Sequence, residues 1–248
     1  MNQVIETIMN HRSIRKFSDK PLNNGQIKTI VESAQRASSS SNVMAYSIIG
    51  VSDQEVKDKL HAVSGHAHVK TNGHLLIFCA DLHRINQLEG IEHTEAFQAN
   101  LESTEQFIVG TIDAALAAQN AAVAAESLGL GICYLGSLRN DIQAFNDVLQ
   151  LPSHVVPLFG LAIGYPKEIP DIKPRLPLPA IYHENQYIPF DKQKHFIQEY
   201  DQTMQDYYES RNSNNKQETW TEQMDKKYKQ PTRLDVGPFV KEKNLNKQ

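Results

Sequence analysis

The chain has 248 residues, a formal net charge of −4, 40% hydrophobic residues and 22% charged ones; that suits one large or two small soluble domains able to bury a sizeable core. Mild acidity excludes a dedicated nucleic-acid binder, which carries a basic face. The two cysteines, Cys79 and Cys133, lie in apolar stretches without CxxC or Cys/His metal spacing, which argues against a disulfide framework or zinc site and for reduced core thiols in a cytoplasm.

The N-terminus MNQVIETIMN has no apolar signal-peptide region. Val4, Ile5, Ile8 and Met9 follow helical spacing and predict a first helix ending near His11. HRSIRKF, residues 11–17, then sets His11, Arg12, Ser13, Arg15 and Lys16 together with no acid. Such donors converge on a phosphate. Arg12 and Arg15 share a face if the turn stays helical; a solvated basic loop is the other reading. PLNNGQIKTIVESAQRA predicts a second helix, with Asn24 as N-cap and Ile27, Ile30, Val31 and Ala34 as its stripe. The hydroxyls of ASSSSN (37–42) suit a phosphate or ribose, or form a flexible linker. YSIIGV reads as a strand, DQEVKDKLHAV as a helix and HLLIFCAD as a buried strand. Between the last two, GHAHV holds His66 and His68, which could chelate but read more simply as an exposed turn.

Residues 105–128 predict a long helix, with Ile108, Ile112, Ala115, Gln119, Ala122 and Val123 along one face and mostly Ala and Leu elsewhere. Asp113, Gln119 and Asn120 interrupt the apolar run, so it reads as a buried helix, central or pressed into a partner subunit, and not as a membrane span. Gly129 and Gly131 stop it. They close a helix and open a strand, the reverse of a dinucleotide fingerprint, so no Rossmann site is expected. ICYLG is a strand, RNDIQAFNDVLQL a helix and HVVPLFGLAIGYP a strand. At YLGS (134–137), Gly136 lets backbone approach a flat ring closely.

After Tyr165, PKEIPDIKPRLPLPA carries five prolines and reads as extended. Pro174 fixes Lys173 relative to Arg175, as an anion clamp or a basic linker. From Asp191 on, two helical patterns (191–210 and 219–229) flank SRNSNNK, whose Arg211 and Lys216 hold a mobile phosphate or simply join helices. The final VKEKNLNKQ is frayed or docked on a partner. Walker A, GxSxG and HExxH motifs are missing from the sequence, and nothing in it points to a nucleophile or a metal. One α+β or three-layer domain spanning 1–248, with a C-terminal excursion from about residue 190, fits this order.

In the order HRSIRKF, serine run, ESLGLG into YLGSLRN, PLFGLAIGYP, KPRLP and YYESRNSNNK, the chain resembles the FMN-dependent nitroreductase superfamily, and within it the NADPH-preferring flavin reductases and oxygen-insensitive nitroreductases. The resemblance implies a nitroreductase-like three-layer α+β sandwich, a homodimer whose C-terminal excursion wraps the partner, and FMN bound non-covalently at the dimer interface. By motif position it implies FMN contacts from His11, Arg12, Ser13, Ile14 and Arg15, with the phosphate on His11 and Arg15; from Ser39, across the subunits; from Tyr134, Leu135, Gly136 and Ser137 along the ring; and from Lys173, Pro174 and Arg175. Arg211 and Lys216 match positions that meet the NADPH 2′-phosphate. NADPH is then the co-substrate and free flavins, quinones or nitroaromatics the acceptors, in a ping-pong scheme with no side-chain catalyst. A flavin-storage protein and an NADH-preferring reductase are the rivals. One departure stands out: relatives often carry a glutamine in a GGQKH-like turn, where this chain has GHAHV, with His66 or Ala67 near that place.

Overall fold

A computed structural model describes residues 2–211 and 217–248. The apolar run LLIFCA lies inside β2 (His74–Asp81), all of it buried, as a strand covered on both faces must be. Its neighbours are β1 (Tyr46–Val51) and β4 (Val155–Gly164); β3 (Gly131–Leu135) pairs with the far side of β4, giving an antiparallel sheet of order β1-β2-β4-β3. The β2–β4 register shifts between Phe78 and Cys79, which face Phe159 and Pro157. Leu158 is the extra residue of this bulge, and the Arg139 guanidinium takes its carbonyl.

Helices cover both faces. α6 (Thr104–Ser127) crosses one face, where Gly110 lets it approach so closely that a Cβ there would stand 3.0 Å from the Ala45 carbonyl and 3.1 Å from Ala80 Cβ. α2 (Asn24–Ala34) packs on α6. On the opposite face, Ile77 and the Leu138 side chain of a 3₁₀ turn (Gly136–Asp141) meet over Gly160, and α3 (Gln54–Ser64) and α7 (Ile142–Leu149) pack around that turn. These three layers are the α+β sandwich expected from the sequence.

The capping chemistry explains several boundaries. The capping box of α2 is Asn23 with Gln26, one residue before the Asn24 expected as cap, because the Asn23 side chain is the one that reaches the Gln26 amide. α6 ends in a Schellman motif: Gly129 has φ 74, its amide bonds Glu126 O at 3.0 Å, and the Leu130 amide bonds Ala125 O at 3.1 Å. The face named for α6 from sequence is largely its exposed one. Ile108 and Ile112 are 45% and 50% exposed, and Ala115 and Gln119 are exposed too, with Ala122 alone of that set buried; the side that packs inward is Val109, Asp113, Ala114, Ala117 and Ala121. Apolar residues all round leave no periodicity to separate the sides. The stripe of α1 (Gln3–Met9) is likewise exposed at Val4, Ile5, Ile8 and Met9.

Three helices were not foreseen: α4 (His83–Asn86), α5 (Glu95–Leu101) and, after α8 and α9 below, α10 (Val236–Glu242). The end of the chain is not frayed. Phe239, Val240 and Leu245 are buried in the main core, Lys243 Nζ bonds Asn146 Oδ1 and Leu151 O, and Lys247 pairs with Glu102 at 2.9 Å.

Backbone contacts divide the chain into two units, Met1–Pro170 with Arg233–Gln248, and Asp171–Thr232. The second holds α8 (Lys194–Glu209) and α9 (Trp220–Lys229). Tyr200, Met204 and Tyr208 of α8 bury against Leu176, Tyr207 and Trp220. Asp201 anchors the start of α9 through the Thr221 amide and hydroxyl at 2.8 and 2.7 Å.

Candidate active site

HRSIRKF runs extended along the free edge of β3. Ser13 pairs in parallel with Ile132, and the Ile14 amide donates to Ile132 O at 2.8 Å. The helical turn that would bring Arg12 and Arg15 to one face is therefore absent. Extended neighbours diverge, and the two arginines line different cavities. Ile14 is 3% exposed and packs on Gly131, where an added Cβ would fall 2.5 Å from Ile14 Cγ1. Gly131→Ala is expected to lower stability by about 2 kcal/mol through overpacking. Equal urea midpoints for parent and variant would refute this close fit.

The first cavity, of about 350 Å³, is lined by Arg12, Glu126, Gly129 and Ile169 among others. Arg12 is largely committed: Nε donates to Asn10 O at 3.0 Å and a terminal nitrogen to Pro170 O at 3.4 Å. His11 Nδ1 meets the Glu126 carboxylate at 2.7 Å, which directs Nε2 away from α6.

The second cavity, of about 340 Å³, opens where β3 ends. Arg15, His66, His68, Cys133, Tyr134, Leu135, Gly136, Ser137 and Arg233 line it. Arg233 is fixed by two hydrogen bonds to Asn140 Oδ1, at 3.2 and 2.8 Å. Ser137 Oγ lies 2.6 Å from Ser64 Oγ. The Tyr134 ring packs edge-on against Phe159 and its hydroxyl donates to Gln119 at 3.3 Å; burial pushes its phenol up. Burial also pushes the Cys133 thiol up, and burial with the Arg233 charge pushes the Arg139 guanidinium down. The GHAHV turn is only half exposed: His66 is open, His68 is 8% exposed, and the rings stack at 5.4 Å. Burial first, then the His66 and Arg15 charges, push His68 down to about 4.

That shift has a stability consequence. His68 is neutral when folded, while the unfolded chain binds the proton near about 6.5. Stability is therefore full above that pH and is lost as pH falls from about 6.5 toward about 4. His74 and His154, both also pushed down by burial, add in the same direction. Urea unfolding should show roughly 2 kcal/mol less pH dependence in His68→Gln over that window. An unchanged slope would contradict the neutral His68.

Ser39 is not among the residues lining this cleft. Ser39 donates to Asp113 Oδ2 at 2.7 Å and accepts from the Met44 amide at 2.6 Å. Asp113 and Glu126 are 13 positions apart on α6, so the Ser39 and His11 anchor points stand roughly 20 Å apart along one chain. In the second unit, the Lys173 ammonium lies 5.9 Å from the Tyr208 ring centroid, Arg175 donates to Lys173 O at 2.8 Å, and the Pro174 carbonyl accepts from the Tyr200 hydroxyl at 3.0 Å. Arg211 stacks over Tyr207 at 5.5 Å; Lys216 falls outside the described residues. Among the described residues no group of three or more His, Cys, Asp or Glu could hold a metal. Arg233 and Cys133 were missed as lining residues. Arg233 comes from a distant turn, and only its left-handed backbone, φ 59, marks it.

Cations at the mouth, a flat aromatic and aliphatic wall, and a glycine at the strand end define an α+β protein built to hold a flat anionic ligand. A planar ring with a phosphate tail, as in FMN, fits that donor set. Comparison with known proteins narrows the class. The model of the nitroreductase family matches residues 8–165, and that of the nitroreductase family C-terminal domain matches residues 173–248. The chain is 51% identical over 249 residues to the FMN reductase (NADPH) of Bacillus subtilis, covering 100% of both. Its structure superposes on the NfrA1 nitroreductase of B. subtilis with a TM-score of 0.94, at 50% identity and 99% and 100% coverage. It superposes on the NADPH:FMN oxidoreductase of Vibrio harveyi, complexed with NAD⁺, with a TM-score of 0.87, at 37% identity and 100% coverage of both. The chain belongs to the nitroreductase family.

Proposed function

We propose that the chain is an NADPH-dependent FMN oxidoreductase that reduces free flavins, quinones or nitroaromatics. The observation that carries this reading is the cationic cleft at the end of β3, in a chain half-identical over its whole length to an FMN reductase (NADPH). FMN, held here, would supply hydride transfer between NADPH and the acceptor. The protein's part is to bind and to orient. Arg15 offers a guanidinium fork to the phosphate, and His11, its Nδ1 engaged by Glu126, presents its Nε2 edge. Tyr134, Leu135 and Gly136 give a flat wall, and Ser137 a hydroxyl at its end. Cations beside the ring favour negative charge developing there.

Homodimerisation is part of the proposal. The exposed apolar faces of α1 and α6 need cover, and a ligand touched by both His11 and Ser39 needs a second copy, given their separation. Arg211 is assigned to the NADPH 2′-phosphate, and Arg211→Ala should raise KM for NADPH about tenfold more than for NADH; equal effects would reject that role. The buried free thiols of Cys79 and Cys133 support a cytoplasmic site of action.

The purified protein should be yellow and release FMN on heating. With NADPH and menadione varied together, double-reciprocal plots should run parallel. A colourless protein that takes up no added FMN would refute the assignment, and intersecting lines would refute the shared-site scheme. Flavin binding without turnover would leave a storage protein.

A further inference from the structure

Reducing a quinone to a hydroquinone takes one hydride and one proton. Reducing a nitro group to nitroso and water takes the same pair. The proton must come from a group that releases one near neutral pH. Arg15 and Arg233 stay protonated. Burial pushes the Cys133 thiol and the Tyr134 phenol up, away from neutrality. Ser137 is no acid. His68 is buried, and with its ionisation pushed down to about 4 it holds no proton to give at neutral pH.

His66 remains. It lines the same cleft and is exposed at its mouth. Its place is fixed from both sides: Gly65, at φ 73, turns the chain out of α3, and His61 Nδ1 lies 3.1 Å from the His66 carbonyl. The ring then lies over His68, 5.4 Å between centroids and tilted by 21°. Of the stacked pair, His68 is the buried inner ring and His66 the outer one, open to the cleft where the acceptor sits. The titratable and charged groups around it are His61 of α3, His68 beneath, Arg15 of the N-terminal segment, Cys133 and Tyr134 of β3, and Arg233 before α10.

Resting on the reductase reading above, we propose that His66 is the proton donor to the acceptor held in this cleft. An imidazolium N–H bond of His66 breaks as an O–H bond forms on the acceptor, the hydride brings the acceptor its second hydrogen and the electron pair, and a proton from bulk solvent restores the ring.

The test separates the two half-reactions of flavin-loaded protein by stopped flow, using menadione as acceptor. In His66→Gln and His66→Ala, menadione-driven reoxidation should slow at least tenfold more than NADPH-driven bleaching, with loss of the solvent deuterium effect on reoxidation. Added imidazole should restore His66→Ala but not His66→Gln, whose side chain fills the place without carrying a proton. Independently of turnover, the His66 ring NMR signal of the oxidised protein should move when menadione is added. Equal slowing of both half-reactions, a deuterium effect retained in the variants, no rescue by imidazole, or an unmoved His66 signal would each overturn the proposal. Failure of NADPH to bleach the parent protein would overturn the reductase reading itself, and is read before any variant is made.

Discussion

Asp113→Ala is expected to destabilise the protein by about 3–5 kcal/mol, the lower part of the sum for two amides and a hydroxyl left without their acceptor at about 1–3 kcal/mol each. Asp113 is 1% exposed and accepts three hydrogen bonds: from the Ser39 hydroxyl at 2.7 Å, the Ser40 amide at 3.1 Å and the Ala45 amide at 3.0 Å. These bonds staple the serine loop to the middle of α6. The loop is costly without them, since Ser41, Asn42 and Met44 all sit at positive φ, between 47° and 58°, each carrying of order 1 kcal/mol of strain. Removing the carboxylate leaves two amides without acceptors and releases that strain. Asp113→Asn, which keeps one acceptor oxygen, should cost about half as much. Equilibrium urea unfolding checks both, and a cost below about 1 kcal/mol for the alanine variant would mean that the loop holds its shape unaided.

Arg15→Ala is expected to weaken FMN binding about a hundredfold, or about 2.7 kcal/mol, the value of a charge-assisted phosphate contact with some loss of orientation. Arg12→Ala is the informative comparison. Arg12 already donates to Asn10 and Pro170, so its loss should lower stability and cost FMN affinity less than tenfold. Fluorescence titration of FMN with flavin-free protein measures both. If Arg12→Ala proves the more damaging, the phosphate belongs in the cavity beside α1 and not in the cleft at the end of β3.

The contrast between these arginines shows what a linear reading reaches. HRSIRKF is legible as an anion-binding stretch because it concentrates donors without an acid. Its conformation is not, since that depends on Ile14 pairing with a strand more than a hundred residues away. β2 and the C-terminal end of α6 are legible because a continuous apolar run and Gly129 act locally. The sides of α6 are not: alanine serves equally well against the sheet and at a surface awaiting a partner. α10 is hidden for the opposite reason. Phe239, Val240 and Leu245 sit in a charged tail whose local preference says little, and docking decides. Arg233, just before α10, lines the cleft and shares its illegibility.

The strand order carries a consequence for biogenesis. β3 gains its sheet neighbour only when β4 has emerged, and the cleft at its end gains Arg233 only after the whole second unit, Asp171–Thr232, has been made. A nascent chain can complete the outer sheet strands and α6 long before it can hold a cofactor. Flavin capture should therefore follow synthesis of the second unit, and chains truncated before Arg233 should fold poorly and remain colourless (Arg233–Gln248 being part of the first unit).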